Sequence, residues 1–199
     1  MQEEDTYWGG DLSIPSPRTV YTIDDDHPGT DVAAAAAAAF AACSNLYANR
    51  SFDGSSFNAP ASLRNDSYAG TLLLHAEQLY TFAVNATGGR KVYQTSVPAA
   101  DSIYPSSGYG DDLAIAALFL SYATGSSTIY QDAEDAYSKY NLAEADIVFN
   151  WDSKSSGLPL LFAQVLQANP GLGGNYSIWR QRAESLFDNL IDNAYYTDG

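Results

Sequence analysis

Two acidic turns with aromatic neighbours hold the residue types in this chain that are best suited to chemistry. Residues 107–113 read Ser-Gly-Tyr-Gly-Asp-Asp-Leu, which places two adjacent carboxylates and two main-chain carbonyls at the start of an apolar run. Residues 149–152, Phe-Asn-Trp-Asp, follow one predicted helical hairpin later. Oxygen ligands on a turn are what a hard cation such as calcium requires, and an aromatic ring offers an apolar surface to the face of a sugar. The pairing favours an extracellular enzyme that acts on carbohydrate.

The composition narrows the classes of partner. The 199 residues are sufficient for one domain or a large part of one, and 24 acidic against 9 basic residues give a formal net charge of −15. Nucleic acids and anionic membranes bind clustered Lys and Arg, so this balance argues against both as partners and suits a neutral ligand or a cation. One cysteine and two histidines cannot build a structural zinc site. We expect Cys43 to be a small buried residue of an alanine-rich helix.

The sequence also has features of a secreted protein. Acceptor sites for N-glycosylation, Asn-x-Ser/Thr, occur at Asn49, Asn65, Asn85 and Asn175. Residues 1–5, Met-Gln-Glu-Glu-Asp, lack the basic and apolar regions of a signal peptide, so we expect the natural chain to begin further upstream. No run of about 18 apolar residues predicts a membrane span. These features predict an extracellular glycoprotein whose signal peptide is not in this chain.

Apolar residues recur at helical spacing through most of the chain, which predicts an all-α fold. Asp66 is expected to cap the second helix, Asp111 to open the third and Gly125 to end it. More apolar helices alternate with more amphipathic ones, as in the inner and outer rings of an α/α toroid, of which about three helical hairpins are present. A short alternating run at 18–23 is the best candidate for a strand. The predicted helices span residues 32–47, 66–85, 112–124, 127–140, 155–167 and 178–194.

Four stretches of the chain match one known family in order and spacing. Residues 7–10 are similar to its Trp-Trp-Gly segment, and residues 18–21 with 28–34 are similar to its Arg-Pro/Thr-x-Tyr and Pro-Gly-Ser-Asp-Val-Ala-Ala runs. Residues 107–113 resemble Ser-Gly-Tyr-x-Asp-Glu-Leu, and residues 149–154 resemble Phe-x-Trp-Asp-Asp-Lys. The chain thus resembles glycoside hydrolase family 9, the inverting endo-β-1,4-glucanases with an (α/α)6 barrel, over essentially its whole length.

The resemblance implies that residues 1–199 form the central part of a family 9 catalytic domain and part of an (α/α)6 barrel, without its N-terminal and C-terminal parts. The complete domain would hydrolyse β-1,4-glucosidic bonds of cellulose with inversion, which requires a carboxylate that activates water and a protonated carboxyl that assists the leaving group. In the family, the base lies in an Asp-Ala-Gly-Asp segment further upstream, and the acid is a Glu near the C-terminal end of the domain. Neither segment matches any part of this chain. No catalytic residue is therefore assigned, and the chain alone is expected to be inactive.

The resemblance also implies a calcium site. Ser107 and Gly108 would bind the ion through main-chain oxygens, and Asp111, Asp112 and Asp152 would bind it through carboxylates. Such an oxygen cage carries negative charge that only a cation offsets. Asp112 stands where the family has Glu, which shortens its reach. The alternative interpretation is that Asp111 and Asp112 are acidic residues at a helix N-terminus, where the helix dipole favours them.

For the β-1,4-glucan partner, the resemblance assigns two aromatic residues, Trp8 and Tyr104. Trp8 would stack on a glucosyl ring within a polar cleft, because the ring face is apolar and the hydroxyls require polar partners. The family's tryptophan before Ser-Gly is missing here, and a further cleft tryptophan aligns near Ile147, so we expect a reshaped or shallower cleft. Trp151 is expected to pack into the rim and Trp179 into the core.

A hypothesis from another functional class remains open. The chain would then be a non-catalytic, acidic helical module that binds glycan or calcium. Retention on glucan without any further helices would favour this module, whereas aggregation would indicate an opened barrel that exposes apolar helix faces. Under either hypothesis we expect a monomer.

Overall fold

The computed structural model describes residues 9–13, 20–52, 63–102, 104–144 and 148–193. These residues form α-helices and no β-strand, which confirms the all-α prediction. The predicted strand is absent at residues 20–23, and its first two positions, like Trp8, lie outside the described residues. The helices are α1 (Thr30–Tyr47), α2 (Asp66–Asn85), α3 (Tyr93–Ser96), α4 (Gly110–Thr124), α5 (Ser127–Lys139), α6 (Leu158–Ala168) and α7 (Tyr176–Asn193).

The ends of α2 and α4 are set by single residues. Asn65 caps α2, because its Oδ1 accepts a hydrogen bond from Tyr68 N at 3.0 Å. The prediction that Asp66 is the cap is wrong, since Asp66 is already helical and its carboxylate contacts Arg64 at 3.1 Å. Gly125 ends α4 as predicted, with a φ of 71° that favours glycine.

The starts of α4 and α6 differ from the predicted positions. Helix α4 begins at Gly110, where a Cβ atom would overlap the ring of Tyr140, so glycine allows this close approach. Helix α6 begins at Leu158 rather than at Ser155, because Ser155–Gly157 forms a separate 3-10 turn. Pro159 lies in the first turn of α6, where its missing N–H costs no hydrogen bond.

The helices form two layers. Helices α1, α4 and α6 contact one another in chain order as the inner layer, and each is followed by an outer helix that packs against it. The three pairs are α1 with α2, α4 with α5, and α6 with α7, which confirms the predicted hairpins. Helix α4 is buried along most of its length, whereas α2 buries only one stripe, Ala69, Leu72, Ala76 and Ala83. Within the described ranges, no helix is both long and apolar enough to cross a membrane.

Aromatic rings fill the core between α5, α6 and α7. Phe162 is fully buried and stacks on Trp179, with ring centroids 3.8 Å apart and an angle of 6° between the planes. Tyr130 and Tyr137 meet Phe162 edge-on, each at 5.8 Å. The structure therefore confirms that Trp179 is a core residue.

The prediction that Cys43 is buried is wrong. Cys43 is exposed on α1, on the face that also carries Val32, Ala39 and Leu46. These positions recur at helical spacing opposite the face that packs on α2 and α4, because side chains three or four residues apart share one side of a helix. Because α1 is rich in alanine, its composition does not show which face of the helix is outward.

Candidate functional site

The N-terminal ends of the inner helices meet at one rim of the fold. Asp31 lies in the first turn of α1, and Asp111 and Asp112 lie in the first turn of α4. Lys154 immediately precedes the 3-10 turn that leads into α6. Consecutive inner helices run in the same direction because each returns through an antiparallel outer helix, so their N-termini lie together. The predicted site residues that the structure describes line two neighbouring cavities at this rim.

The two turns singled out from the sequence are held together by hydrogen bonds. Asp152 Oδ1 accepts from Ser107 N at 2.9 Å, and Asp111 Oδ2 accepts from Lys154 N at 2.7 Å. Ser107, Gly108, Asp111 and Asp152 all line one cavity of about 360 Å³. The structure therefore brings together four of the five predicted calcium ligands.

Asp112, the fifth predicted ligand, lines the other cavity. It is 3% exposed, and its Oδ1 lies 3.0 Å from Lys154 Nζ. The two groups form an ion pair. Burial, followed by the charge of Asp111, raises the pKa of Asp112 to about 7, although Lys154 lowers it. The charge of Asp112 is thus already faced by an ammonium group.

The chemistry of the four residues around the larger cavity fits calcium, which prefers carboxylate and carbonyl oxygens. The carbonyl of Gly108 also accepts from Ser106 Oγ at 2.8 Å. Among the residues that the structure describes, no three His, Cys, Asp or Glu side chains lie close enough together to hold a metal ion. The five-ligand calcium site therefore stays a prediction.

Asp31 is a site residue that the sequence analysis did not single out. It is 3% exposed, and its Oδ1 accepts from Tyr93 N at 2.9 Å. Its Oδ2 is buried and has no hydrogen-bond partner within the described ranges. Burial raises the pKa of the Asp31 carboxyl, and hydrogen bonds from the main-chain N–H of Val32, the Ser106 side chain and the main-chain N–H of Tyr93 partly oppose this shift.

The short helix α3 fixes the position of the loop that precedes α4. The Tyr93 hydroxyl donates to Tyr104 O at 2.7 Å, and Gln94 Nε2 donates to Ser106 O at 2.7 Å. Together with the bond from Tyr93 N to Asp31, these contacts tie the loop to the start of α1. Helix α3 could not be predicted from the sequence, because four helical residues are too few to show a periodicity.

Two exposed aromatic rings stand at the mouth of the second cavity. Tyr104 is 62% exposed and Trp151 is 60% exposed, and their rings meet edge to face with centroids 5.4 Å apart. The expectation that Trp151 packs into the rim is therefore wrong. Asn150 Oδ1 accepts from the main-chain N–H of Asp152, and the Trp151 carbonyl accepts from Lys154 Nζ at 3.0 Å. These bonds hold the main chain of the turn that carries the exposed indole.

This chain is similar to known endoglucanase sequences over most of its length. Residues 1–198 match the sequence profile described as "Glycosyl hydrolase family 9". "Endoglucanase 15" of Arabidopsis thaliana is 38% identical over 189 residues, and "Endoglucanase 14" of Oryza sativa subsp. japonica is 32% identical over 192 residues. Each match covers 94% of this chain but only 34% and 31% of the respective relative. The chain thus spans about a third of the length of these relatives.

Solved structures show the same similarity in three dimensions. An endoglucanase from the termite Nasutitermes takasagoensis superposes with a TM-score of 0.78 at 32% identity, covering 99% of this chain and 40% of the termite chain. The cellulase Cel9M of C. cellulolyticum superposes with a TM-score of 0.72 at 25% identity, covering 98% of this chain and 39% of the other. Nearly the whole chain therefore has the fold of one part of these larger structures.

Proposed function

Since this chain belongs to glycosyl hydrolase family 9, we propose that it forms the part of an endo-β-1,4-glucanase domain that carries a glucan-binding rim. The domain as a whole would hydrolyse β-1,4-glucosidic bonds of cellulose with inversion. The observation that carries the proposal is the exposure of Tyr104 at a polar rim. The Tyr93 hydroxyl donates a hydrogen bond to the main-chain carbonyl of Tyr104 and holds it in this position. An aromatic face beside polar groups suits the apolar face and the hydroxyls of a glucosyl unit.

We assign substrate positioning, and no proton transfer, to the described residues. Inversion requires two carboxyl groups roughly 6.5–9.5 Å apart on opposite sides of the scissile bond. The family stretches that would supply this pair match no part of the 199 residues, whereas the rim residues match stretches that are present. The chain on its own would therefore bind β-1,4-glucan without hydrolysing it.

Binding can be tested by native electrophoresis in gels that contain neutral hydroxyethylcellulose, since an anionic derivative would repel a chain of charge −15. We expect retardation in this gel and none in a gel with the α-linked glucan dextran. Tyr104→Ala should reduce the retardation, whereas Tyr176→Ala, which removes an exposed ring from α7, should not. Equal mobility in both gels would contradict the proposed binding of β-1,4-glucan.

Hydrolysis needs a separate measurement, release of reducing ends from the same soluble polymer. The isolated chain should release no more than a heat-denatured sample, and a longer protein with the remaining family segments should be active. Hydrolysis by the purified chain would contradict the assignment of positioning alone. Binding by the chain together with inactivity of the longer protein would instead favour a non-catalytic glycan-binding module.

A calcium ion bound by Ser107, Gly108, Asp111 and Asp152 is part of the same proposal. Their oxygens suit calcium, and a bound ion would offset the carboxylates and fix the two turns relative to each other. Asp112, the fifth predicted ligand, lines the other cavity, where Lys154 Nζ lies 3.0 Å from its Oδ1. The ion would thus stabilise the rim and take no part in bond cleavage.

Secretion as a monomeric glycoprotein is the remaining part of the proposal. The side chains of Asn65, Asn85 and Asn175 are exposed, so an oligosaccharyltransferase could reach all three, while Asn49 is partly buried. Expression through a eukaryotic secretory pathway should give a chain whose mass falls on treatment with an N-glycosidase. An unchanged mass would contradict glycosylation, and a dimer in size-exclusion chromatography with light scattering would contradict the monomer.

A further inference from the structure

A groove of about 430 Å³ lies between the outer helices α2 and α5. It shares Tyr140 with the calcium cavity, and the buried side chain of Leu113 from α4 forms part of its lining. The rest of the lining comes from the end of α2, from the loop that follows it and from α5. We call this feature the outer groove. The lining side chains that matter here are Tyr80, Asn85, Arg90, Asp132, Asp135, Lys139 and Tyr140.

Asn85 connects the outer groove with the acceptor sites for glycosylation. It is the last residue of α2, its side chain is exposed, and it is the first residue of the acceptor sequence Asn85-Ala86-Thr87. Asn65 and Asn175 differ from it, because they lie at helix starts and accept hydrogen bonds from main-chain N–H groups through their Oδ1 atoms. A glycan on Asn85 would therefore begin at the wall of a groove.

Two tyrosine rings give the outer groove apolar surfaces. Tyr80 and Tyr140 line it and are both half-buried. The Tyr140 ring is held in place, since it meets Tyr109 edge to face at 5.3 Å and a Cβ atom at Gly110 would overlap it. Its hydroxyl also accepts from Arg90 Nη1 at 3.4 Å. A fixed aromatic ring suits the apolar face of a sugar.

The charges of the outer groove are balanced, although the whole chain carries −15. Arg90 and Lys139 line it together with Asp132 and Asp135. Burial, followed by the charge of Asp135, raises the pKa of Asp132, whereas Arg90 lowers it, so Arg90 and Asp132 act on each other across the groove. A groove with as many cations as carboxylates favours neither a cation nor an anion. It offers both donors and acceptors to a neutral ligand with amide and hydroxyl groups.

A covalent link to Asn85 would make even weak contacts in the groove effective. A tethered ligand binds intramolecularly, at an effective concentration in the millimolar range for a short flexible link. Asn85 belongs to the hairpin of α1 and α2, whereas Asp132 and Lys139 belong to the hairpin of α4 and α5. A sugar attached to one hairpin and bound by the other would therefore hold the two hairpins together.

We propose that the outer groove holds the first N-acetylglucosamine unit of a glycan on Asn85. The Tyr140 ring contacts the face of the sugar, and Asp132 and Lys139 form hydrogen bonds with its acetamido and hydroxyl groups. The inference rests on the proposed secretion as a glycoprotein. In the transfer, Asn85 Nδ2 forms a bond to C1 of the sugar and loses one proton. The bond from C1 to the diphosphate of a lipid-linked oligosaccharide breaks, and its electron pair leaves with the diphosphate.

The test uses the secreted chain with Asn85 as its single acceptor site, obtained by Asn49→Asp, Asn65→Asp and Asn175→Asp. Aspartate caps a helix as asparagine does, so the caps at positions 65 and 175 are kept. It also tolerates the φ of 57° at position 49. An endoglycosidase that cleaves between the first two sugars leaves one N-acetylglucosamine on Asn85. Asn85→Gln gives the matched chain without sugar, and urea unfolding compares the two.

The single sugar should lower the equilibrium constant of unfolding about tenfold, which corresponds to about 1.4 kcal/mol. Lys139→Ala should remove most of this stabilisation. Ser138→Ala, which changes an exposed side chain of α5 outside the lining of the groove, should keep it. Each variant is measured with and without the sugar, so the effect of the substitution itself cancels. Nuclear magnetic resonance should show nuclear Overhauser contacts between the acetamido methyl group and the ring of Tyr140.

The outcomes separate this inference from the proposed function. A secreted chain without sugar on Asn85 overturns the inference together with the proposed glycosylation of this residue. A glycosylated Asn85 without stabilisation, or without contacts to the Tyr140 ring, overturns the place of the sugar and leaves the glycosylation. Equal stabilisation by one sugar on Asn175 in a chain with Asn85→Gln would show a general effect of glycans and also overturn the inference. None of these outcomes bears on the binding of glucan at the rim.

Discussion

The buried carboxyl of Asp112 makes the stability of this protein depend on pH in a way that one substitution should remove. Its pKa is about 7 in the folded chain against an ordinary value of 3.8. The folded state therefore retains a proton that the unfolded state releases, so the free energy of unfolding falls as the pH rises through this interval. Asp112→Asn cannot ionise and should lose this dependence.

The magnitude follows from the displacement of the pKa. At about 1.36 kcal/mol per pKa unit, a change from 3.8 to about 7 makes the folded chain less stable by about 4 kcal/mol once Asp112 is ionised. About 2.6 kcal/mol of this loss falls between about pH 5 and about pH 8. That interval avoids the sequence pI of about 4.1, where solubility is lowest.

The assay is urea unfolding followed by circular dichroism, at several pH values and in the presence of a chelator. The unmodified chain should lose stability relative to Asp112→Asn as the pH rises. Asp31, whose pKa is also raised, gives both proteins a residual slope of the same sign. Asp66→Asn, an exposed position paired with Arg64, is the matched control and should keep the slope of the unmodified chain.

Parallel stability curves for the unmodified chain and Asp112→Asn would refute the reasoning, because they would show that burial does not displace this pKa. A repeat with excess calcium examines the metal proposal. If Asp112 joins the ligand set, calcium favours its ionised form and should flatten the curve of the unmodified chain. An unchanged curve would show that calcium is not bound by Asp112, which then stays paired with Lys154.

Three further outcomes are expected. Calcium at about 100 times its dissociation constant should raise the unfolding free energy by about 2.7 kcal/mol, measured by thermal unfolding. Asp152→Asn should lose this stabilisation. The absence of stabilisation in the unmodified chain would argue against the calcium site. Tyr93→Phe removes the hydrogen bond to the Tyr104 carbonyl and should cost about 1 kcal/mol of stability. It should also weaken cellotetraose binding, measured by isothermal titration, more than Tyr176→Phe does. Equal affinities of these two variants for cellotetraose would show that Tyr93 does not position Tyr104 for binding. Phe162→Ala should cost about 3–5 kcal/mol in urea unfolding, and a cost below 1 kcal/mol would contradict the central place of this ring.

The sequence predicted the larger elements of the fold because their apolar residues recur over several turns. The helices α1, α2, α4, α5 and α7 appear within a few residues of their predicted bounds, and the start of α6 shifts because Ser155–Gly157 forms its own turn. Asn65 and Asp66 are both residues that cap helices, so composition could not choose between them. The choice depends on which backbone is extended, and Asn65 has a φ of −147°.

The site was only partly predictable, because its contacts join residues far apart in the chain. The two acidic turns could be recognised from their residues, and the structure joins them through Asp152 and Ser107. Asp31 and Tyr93 are separated by 62 positions and are joined by a hydrogen bond. Tyr93 lies on α3, which is too short to show a periodicity in the sequence. The prediction that Trp151 packs into the rim is wrong, because the indole is 60% exposed and contacts Tyr104 edge to face.

The two cavities of the rim are physically linked, and this link connects the metal and the glucan proposals. Asp152 lines both cavities, and Asp111 in one accepts a hydrogen bond from the main chain of Lys154, whose ammonium group faces Asp112 in the other. A cation in the larger cavity would therefore fix the turn that also presents Trp151. Since coupling between two binding sites is reciprocal, calcium that favours the glucan must be bound more tightly in the presence of the glucan by the same factor.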